Sequence, residues 1–207
     1  MDTIIDITMP LHSDMLLYPG SPPFSVEQYR SISSGDTSNN SRFSMGTHVG
    51  THVDAPGHYV DGGPGIDMVD PAILIGPCRV FDLAGKQISA AVLRGLDMAG
   101  VTRALFRTPS SDDLADPEFN PDFAHVTGDG AEYLAEMGVK LVGVDYLSLD
   151  RYKAPGHPAH HTLLGAGVAV IEGVVLSGVE PGEYELICCP LKIAGAEAAP
   201  ARVFLRR

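Results

Sequence analysis

Eight short segments rich in β-branched and aromatic residues recur along this chain of 207 residues. Runs of this composition, bounded by Gly and Pro, are typical of β-strands. The segments are residues 3–7, 42–54, 78–83, 103–108, 139–146, 167–176, 184–189 and 202–206. Because only a few helical patterns fall between them, the chain is expected to fold around a β-sheet.

Two of the intervening segments carry a helical pattern. Residues 88–100 begin with Ser89, a side chain suited to a helix N-cap. Residues 128–139 run from a capping Asp129 to Gly138, which suits the position just after a helix C-terminus. The second segment leads directly into a strand segment, so we predict a helix-then-strand element of an α/β fold.

Length and charge limit the class of protein. A chain of 207 residues favours a single domain over residues 1–207. A formal net charge of -12 disfavours nucleic acid and anionic membranes as partners. The first residues lack a basic start and a continuous apolar stretch, and the longest apolar run, residues 165–176, is short and contains Glu172. We therefore expect a cytoplasmic protein that does not bind membranes.

The three cysteines do not form a recognisable site. Cys78 stands alone, and the adjacent Cys188 and Cys189 would point to opposite faces of a strand. Neither a disulfide framework nor a thiolate zinc cluster is indicated. Any bound metal would be held by histidines and carboxylates.

Residues 47–54 alternate between two kinds of side chain, as in a strand. One face would be β-branched and packed in the core, whereas the other collects the groups that can bind metal. The first face comprises Thr47, Val49, Thr51 and Val53, and the second comprises His48, Gly50, His52 and Asp54. The pattern predicts a strand with one metal-binding face.

Strand geometry restricts which of these groups can share an ion. At a rise of ~3.3 Å per residue, His52 and Asp54 are roughly 7 Å apart and His48 and His52 about 13 Å apart. His48 can join the site only if the strand bends, and Gly50 permits such a bend. After Asp54 the chain enters a Pro-Gly turn that could bring His58 back over the site as an acid/base residue. The alternative is that these are hydrogen-bonded strand histidines and that Asp54 initiates a turn.

A second half of the site is expected in residues 157–173. Glu172 interrupts an apolar run, and a buried isolated carboxylate requires a cation or a raised pKa. Alternatively, Glu172 faces outward from an edge strand. His157 lies in the predicted loop 154–158 and is expected to be exposed; of His160 and His161, which point in different directions, at most one is expected to bind metal.

The motif His-x-x-x-His-x-Asp-x-x-x-His of residues 48–58, together with "HPAHHTLLGAGVAVIEG", resembles the metal-dependent cyclase-like hydrolase family. This family includes bacterial kynurenine formamidases (arylformamidases) and isatin hydrolases. The resemblance covers nearly the whole chain. It also includes "YPGSPP", "GPCRVFDL", "VKLVGVDYLSLD", "PGEYELICCPLKIAG" and "APARVFLR".

The resemblance implies an α/β fold of the swivelling β/α/β type, with a mixed sheet, few helices and oligomers, dimers or tetramers, whose sites lie near subunit interfaces. It implies that one ion is bound by His48, His52 and Asp54, and that His160 binds a second. Asp54 and Glu172 would bridge the ions, and His58 would be the acid/base residue. Zinc is the expected metal, with one or two ions per subunit, and manganese or iron would suit the same ligands.

The resemblance also bears on the substrate. Kynurenine formamidases carry Trp before the Pro-Gly of the N-terminal loop, where this chain has Tyr18. Tyr can still stack on an arene, so Tyr18 is a candidate substrate-binding residue. The replacement leaves open whether N-formylkynurenine, an intermediate of tryptophan catabolism, or another small molecule is the substrate.

The leading functional hypothesis is hydrolysis of a small amide, an aryl formamide or a cyclic amide or lactone, by metal-activated water. One alternative is a non-haem iron oxygenase with a triad of His52, Asp54 and His160. That alternative leaves Glu172 unused and lacks a basic residue soon after His160. Another is a non-catalytic metal-binding protein, although structural zinc sites are usually closed and rich in sulfur.

Overall fold

The computed structural model describes residues 3–207, which form twelve strands and four short α-helices. The strands are β1 (Ile4–Asp6), β2 (Ser25–Arg30), β3 (Asn40–Ser44), β4 (His52–Asp54), β5 (Ile75–Asp82), β6 (Gln87–Ile88), β7 (Arg103–Arg107), β8 (His125–Val126), β9 (Leu141–Val144), β10 (Ala169–Glu172), β11 (Gly182–Pro190) and β12 (Ala198–Arg206). The helices are α1 (Pro71–Leu74), α2 (Ala90–Leu93), α3 (Gly128–Glu136) and α4 (Pro158–Gly165). The expectation of an α/β fold with few helices is confirmed.

Seven strands close into a barrel-like sheet. Their order is β12-β11-β5-β7-β9-β10-β4, and β4 pairs back onto β12 to complete the ring, while β1 extends the outer edge of β12. The neighbours β5, β7, β9 and β10 are parallel, and the other pairings in this sheet are antiparallel. The sheet is therefore mixed, as the family resemblance implied.

The parallel strands are joined by crossover segments that contain helices. In chain order α2 lies between β5 and β7, α3 between β7 and β9, and α4 between β9 and β10. Parallel neighbours need such crossovers because a tight turn cannot connect them. The predicted helix-then-strand element is α3 followed by β9.

Alternation along the strands separates two hydrophobic cores. Leu105 of β7 and Ile171 of β10 belong to the core inside the ring. Their neighbours in the chain, Phe106 and Val170, belong to the outer core, which packs against α2, α3 and α4. Gly143 of β9 faces inward, where a Cβ would come 2.3 Å from the side chain of Leu105, so the ring interior has no room for a larger residue there.

The helical predictions were partly right. Ser89 caps α2, but that helix ends at Leu93 and does not continue towards residue 100. The N-cap of α3 is Thr127, whose hydroxyl accepts the Gly130 N–H, so the prediction of Asp129 was wrong. Asp129 lies within the first turn, where its carboxylate accepts the Ala90 N–H.

The predicted continuous strand over residues 42–54 was also wrong. β3 ends at Ser44 and belongs to a separate two-stranded ribbon with β2, whereas β4 begins only at His52. Gly50, between these strands, has a φ of +72°, a left-handed conformation that interrupts a strand. The chain therefore bends at Gly50 as predicted, but the residues before the bend form a turn and not the first half of a strand.

None of the helices formed by residues 3–207 is long and apolar enough to cross a membrane.

Candidate metal centre

The candidate site lies on the outer face of the ring, where β4 and β10 are neighbours. These strands are antiparallel, with Asp54 opposite Val170 and His52 opposite Glu172. Paired residues project to the same side of a sheet, so His52, Asp54 and Glu172 share one face. Helix α4 packs against β10 and brings His160 over these side chains.

The chain before β4 is fixed by buried hydrogen bonds. The hydroxyl of Thr51 donates to the Gly173 carbonyl at 2.6 Å and accepts the Met9 N–H at 2.8 Å. Val53 of the predicted apolar face lies fully in the inner core. Thr51 and Val53 therefore anchor the motif, as the alternation predicted. The prediction was wrong for Thr47, which is half-buried and bonds to Glu197.

His52 is held with one nitrogen turned away from the site. Its Nδ1 donates to the Gly50 carbonyl at 2.9 Å, which places the proton on Nδ1. Its Nε2 lies 3.5 Å from Asp54 Oδ1 and 3.4 Å from Glu172 Oε2. The nitrogen available for a ligand thus faces two carboxylates.

His160 is held in the same manner from the opposite side. Its Nδ1 lies 2.5 Å from Asp150 Oδ2, and its Nε2 lies 2.9 Å from Glu172 Oε1 and 3.6 Å from Asp54 Oδ2. His161, the next residue, is exposed and lies outside the cavity. The prediction that these two histidines point in different directions is confirmed.

His48 lies nearer the surface and contacts two acidic groups. Its Nδ1 is 2.9 Å from Asp54 Oδ1, and its Nε2 is 3.2 Å from Glu197 Oε1. The Thr47 hydroxyl donates to the same Glu197 oxygen at 2.6 Å. The turn at Gly50 is what brings His48 to Asp54, since an extended strand would keep them well apart.

The polar atoms at the centre form no hydrogen bond of normal geometry within residues 3–207, although His48 Nδ1 lies 2.9 Å from Asp54 Oδ1. These atoms are His52 Nε2 and both carboxylate oxygens of Asp54, all fully buried. A buried polar group without a partner is costly. Two ligand atoms that each lie about 2.0–2.2 Å from one ion are separated by roughly 3.0–3.5 Å, close to the spacing of His52 Nε2 from the carboxylates. The residues therefore fit a metal ion bound by nitrogen and oxygen.

The ligand atoms form two overlapping groups. Those of His48, Asp54 and His58 lie within 4.8 Å of one another, and so do those of His52, Asp54 and Glu172. Asp54 belongs to both groups, which suits the bridging position that the family resemblance gives it. A third group, Asp150, His157 and His160, shares His160 with the site.

The electrostatics also favour a cation. Burial disfavours charge on His52, but Asp54 and Glu172 prevail and raise its pKa to about 9. Burial and the neighbouring Asp54 act against ionisation of Glu172, yet His160 and His52 hold its pKa at about 2. Burial likewise opposes charge on Asp54, but His160 and His48 lower its pKa. Burial also opposes charge on His160, but Asp150, Asp54 and Glu172 raise its pKa. Two ionised carboxylates thus need positive charge at this point.

His58 occupies the short 3-10 turn Pro56–His58 that follows β4, as the Pro-Gly turn predicted. Its ring centroid lies 4.0 Å from that of His48 and 5.9 Å from that of His160. Burial lowers the pKa of His58 to about 4. The imidazole is therefore neutral at pH 7 and able to accept a proton.

A cavity of about 210 Å³ opens beside these groups. Its polar wall carries His48, His58, His160 and Glu172, and its other walls include Tyr18 and Tyr59. It is lined by Tyr18, Ser21, His48, His58, Tyr59, Leu147, Ser148, His157, His160 and Glu172. A space of this size accommodates only a small molecule.

Tyr18 contacts the edges of two further aromatic rings. The centroids of Phe119 and Tyr152 lie 5.4 Å and 5.8 Å from that of Tyr18, both in edge-on geometry. Tyr18 therefore faces the cavity with its position fixed by an aromatic cluster.

His157 lies before α4, outside any helix or strand, as expected, but the expectation that it is exposed was wrong. His157 is half-buried, lines the cavity, and its Nδ1 is buried without a partner among residues 3–207. It adopts a left-handed backbone with φ of 43°, which a non-glycine residue rarely does.

Sequence reasoning missed Asp150, Glu197 and Tyr59. Asp150 and Glu197 contact His160 and His48 from outside the motif, and Tyr59 stacks on His160 with centroids 4.8 Å apart. Nothing in the local sequence separates these acids from the many other acidic residues of the chain. Tyr59 follows His58 directly, so only its place beside the motif offered a signal.

Glu172 is buried within β10, so its placement as an outward edge residue is excluded. Its contacts with His52 and His160 also argue against the oxygenase alternative, which assigns no function to this carboxylate.

Comparison with known proteins agrees with this geometry. Residues 5–151 match the family described as "Putative cyclase". A kynurenine formamidase of Bacillus cereus is 37% identical over 203 residues, which cover 98% of this chain and 96% of that protein.

Two solved structures share the fold. A predicted metal-dependent hydrolase from Bacillus stearothermophilus is 35% identical, with a TM-score of 0.87, covering 100% of this chain and 98% of that one. Isatin hydrolase A from Ralstonia solanacearum is 26% identical, with a TM-score of 0.83, covering 99% and 92%. The chain therefore belongs to the cyclase family of metal-dependent hydrolases.

Proposed function

We propose that this protein hydrolyses the amide bond of a small aryl formamide, with N-formylkynurenine as the first candidate and a cyclic amide or lactone as the second. The observation that carries the proposal is the convergence of His52 Nε2 and His160 Nε2 on the buried carboxylates of Asp54 and Glu172. The kynurenine formamidase and isatin hydrolase relatives support a metal-dependent amide hydrolase.

We propose that His48, His52 and Asp54 bind one divalent ion and that His160 binds a second, with Asp54 and Glu172 shared between them. The shared position of Asp54 in two ligand groups supports two ions per subunit. Imidazole and carboxylate ligands suit zinc first, and also manganese or iron.

A divalent ion at this position supplies Lewis-acid chemistry, because it activates water for attack and stabilises negative charge on a carbonyl oxygen. The chain's own contribution to proton transfer is assigned to His58. Its neutral imidazole accepts the proton of the attacking water at a ring nitrogen and then donates it to the leaving amide nitrogen. Partial burial of His58 keeps that nitrogen unprotonated at neutral pH.

The aryl part of the substrate is assigned to Tyr18. This ring lines the cavity beside His58 and is supported by Phe119 and Tyr152. Stacking or edge contact with an arene contributes about 0.5–1.5 kcal/mol beyond apolar burial. An aryl amide would thereby gain affinity that an aliphatic amide lacks.

The test combines metal analysis with a hydrolysis screen. The purified protein is expected to contain zinc, manganese or iron and to hydrolyse N-formylkynurenine, formanilide or isatin. Activity should disappear after chelation and return with the metal. Metal-free protein that hydrolyses these compounds equally well, or metal-loaded protein that hydrolyses none of them, would contradict the proposal.

We also propose that the protein is a homodimer that uses the ribbon of β2 and β3. Every residue of β2 is exposed, and the cross-strand partners Val26 and Phe43 are 64% and 60% exposed. An isolated two-stranded ribbon is at best marginally stable in water, so a second copy of the chain is the proposed cover. The ribbon begins shortly after Ser21 at the cavity rim, consistent with a site near a subunit interface.

Light scattering after size exclusion tests the dimer. The double substitution Val26→Ser and Phe43→Ser should shift the mass towards one chain, whereas Ile75→Ser, at an exposed apolar residue of β5, should not. Retention of the dimer by the double variant would place the interface elsewhere. A cytoplasmic location and a part in tryptophan catabolism stay predictions.

A further inference from the structure

Helix α4, which carries His160, begins without a cap of its own. The N-cap residue, His157, makes no side-chain hydrogen bond to the first turn. It is one of two non-glycine residues with positive φ in residues 3–207, the other being Lys153. Pro158 follows at the first helical position, and a residue before proline is further restricted. The N–H groups of the first turn, which belong to the buried residues Ala159 and His160, therefore need a partner from elsewhere.

Asp150 is that partner. Its Oδ1 accepts the Ala159 N–H at 2.9 Å, and its Oδ2 accepts the His160 N–H at 3.1 Å. The side chain lies seven residues before the helix N-cap and is only 1% exposed. Asp150 thus performs the hydrogen bonding that a local Ser, Thr or Asp usually provides.

The same carboxylate also contacts the His160 ring. Oδ2 lies 2.5 Å from His160 Nδ1, so one oxygen accepts both the backbone N–H and the ring N–H of His160. A carboxylate has no proton to give at neutral pH, which places the ring proton on Nδ1. Nε2 is the nitrogen directed at Glu172 and Asp54, and it becomes a ligand when a metal ion replaces its proton.

We propose that Asp150 is a positioning residue for metal binding, because it fixes the start of α4 and the tautomer of His160 with one buried carboxylate. The inference rests on the proposed function, since it takes His160 as a metal ligand. A carboxylate behind a ligating histidine orients the ring and strengthens the nitrogen as a donor. Here the orientation of the ring and the position of the helix carrying it depend on the same group.

The substitution Asp150→Asn tests this role. The three donors are the N–H groups of Ala159 and His160 and the Nδ1–H of the His160 ring. The amide of Asn has one acceptor oxygen and no negative charge, so it cannot accept all three hydrogen bonds. The matched control is Asp70→Ala, which removes the cap of α1, a helix that packs on β5 and β11 and not on α4. Both variants should melt at a lower temperature than the wild type in their metal-free forms.

Only Asp150→Asn should weaken zinc binding, with the dissociation constant measured by chelator competition raised about 10- to 100-fold. Nitrogen-15 NMR of the zinc-loaded wild type should show His160 protonated at Nδ1 and unprotonated at Nε2. Equal zinc affinity of Asp150→Asn and wild type would overturn the inference while leaving the proposed function intact. A wild type that binds no metal and hydrolyses no amide would overturn both.

Discussion

His52 and Glu172 face each other across the antiparallel pair β4 and β10, with His52 Nε2 3.4 Å from Glu172 Oε2. Neither atom forms a normal hydrogen bond with the other at that distance. The relationship is explained if both atoms are ligands of one ion, and Glu172 is then a direct test of the proposed ligand set.

Glu172→Gln is therefore expected to lose metal. The amide oxygen can still accept the Leu149 N–H, now bound at 2.6 Å by Glu172 Oε1, so the fold should persist. The loss of one negative charge should lower zinc content well below that of the wild type and reduce hydrolysis at least 100-fold. Elemental analysis and a formanilide assay measure both effects.

A suitable control is Glu185→Gln, which removes a surface carboxylate paired with Arg206 on β11 and β12. Exposed ion pairs contribute about 0–1 kcal/mol, so this variant should keep its metal and activity. Full metal content in Glu172→Gln would remove this glutamate from the ligand set.

His58→Ala separates proton transfer from metal binding. If His58 moves the proton, turnover should fall about 10²- to 10⁴-fold while metal content stays unchanged. His12→Ala, at an exposed histidine that does not line the cavity, should leave both unchanged. Loss of metal from His58→Ala would instead make His58 a ligand, since its nitrogen lies within 4.8 Å of the ligand atoms of His48 and Asp54.

Tyr18→Ala tests the aryl-binding wall. Removing the ring should raise KM for formanilide about 3- to 10-fold, in line with the energy of an aromatic contact. The KM of the same variant for an aliphatic formamide should equal that of the wild type. An equal effect on both substrates would show that Tyr18 shapes the cavity without selecting the arene.

How much of this arrangement could be predicted depended on the range of the interactions involved. The strand segments and the two-faced motif follow from local alternation, and they located β1, β4, β5, β7, β9, β10, β11 and β12 approximately. The closure of the sheet by pairing β4 with β12 joins residues about 145 positions apart, and no local pattern specifies it. The single domain over residues 1–207 stays a prediction, supported by a ring whose strands span residues 52–206.

The candidate site shows the same division. His48, His52 and Asp54 share a motif, so their spacing alone predicted a common site and the need for a bend at Gly50. The contacts of Asp150 with His160 and of Glu197 with His48 depend on how separate elements pack. Sequence analysis could not select Asp150 and Glu197, because the residues next to them in the chain do not indicate which residues they contact in the folded protein.

Asp145 should make stability depend on pH, independently of the metal. It is buried, and its oxygens accept hydrogen bonds from the Thr108 N–H and hydroxyl and from the Ser111 hydroxyl. Burial outweighs these bonds and raises the pKa of Asp145 to about 6. Because this value exceeds the usual 3.8, the folded state binds the proton more tightly than the unfolded state does.

The contribution of Asp145 to stability is therefore fully present below about pH 3.8 and is lost as the pH rises through about 6. Its full extent is about 3 kcal/mol. Urea unfolding of wild type and Asp145→Asn between pH 4 and pH 7 isolates it, because other carboxylates affect both proteins equally. The free energy of unfolding of the wild type minus that of Asp145→Asn should fall as the pH rises over this interval. A difference that does not change with pH would contradict the raised pKa of Asp145.

Metal removal distinguishes a catalytic from a structural centre. The inner core, with Val53, Leu105 and Ile171, does not involve the candidate ligands, so the metal-free protein should stay folded. A ligand present at 1,000 times its dissociation constant adds about 4 kcal/mol of stability, so chelation should lower the melting temperature without abolishing the transition. Calorimetry with and without chelator measures the shift, and hydrolysis should cease under the same conditions. Unfolding on chelation at 25 °C would indicate that the metal is primarily structural, because the two cores would then be insufficient to keep the chain folded.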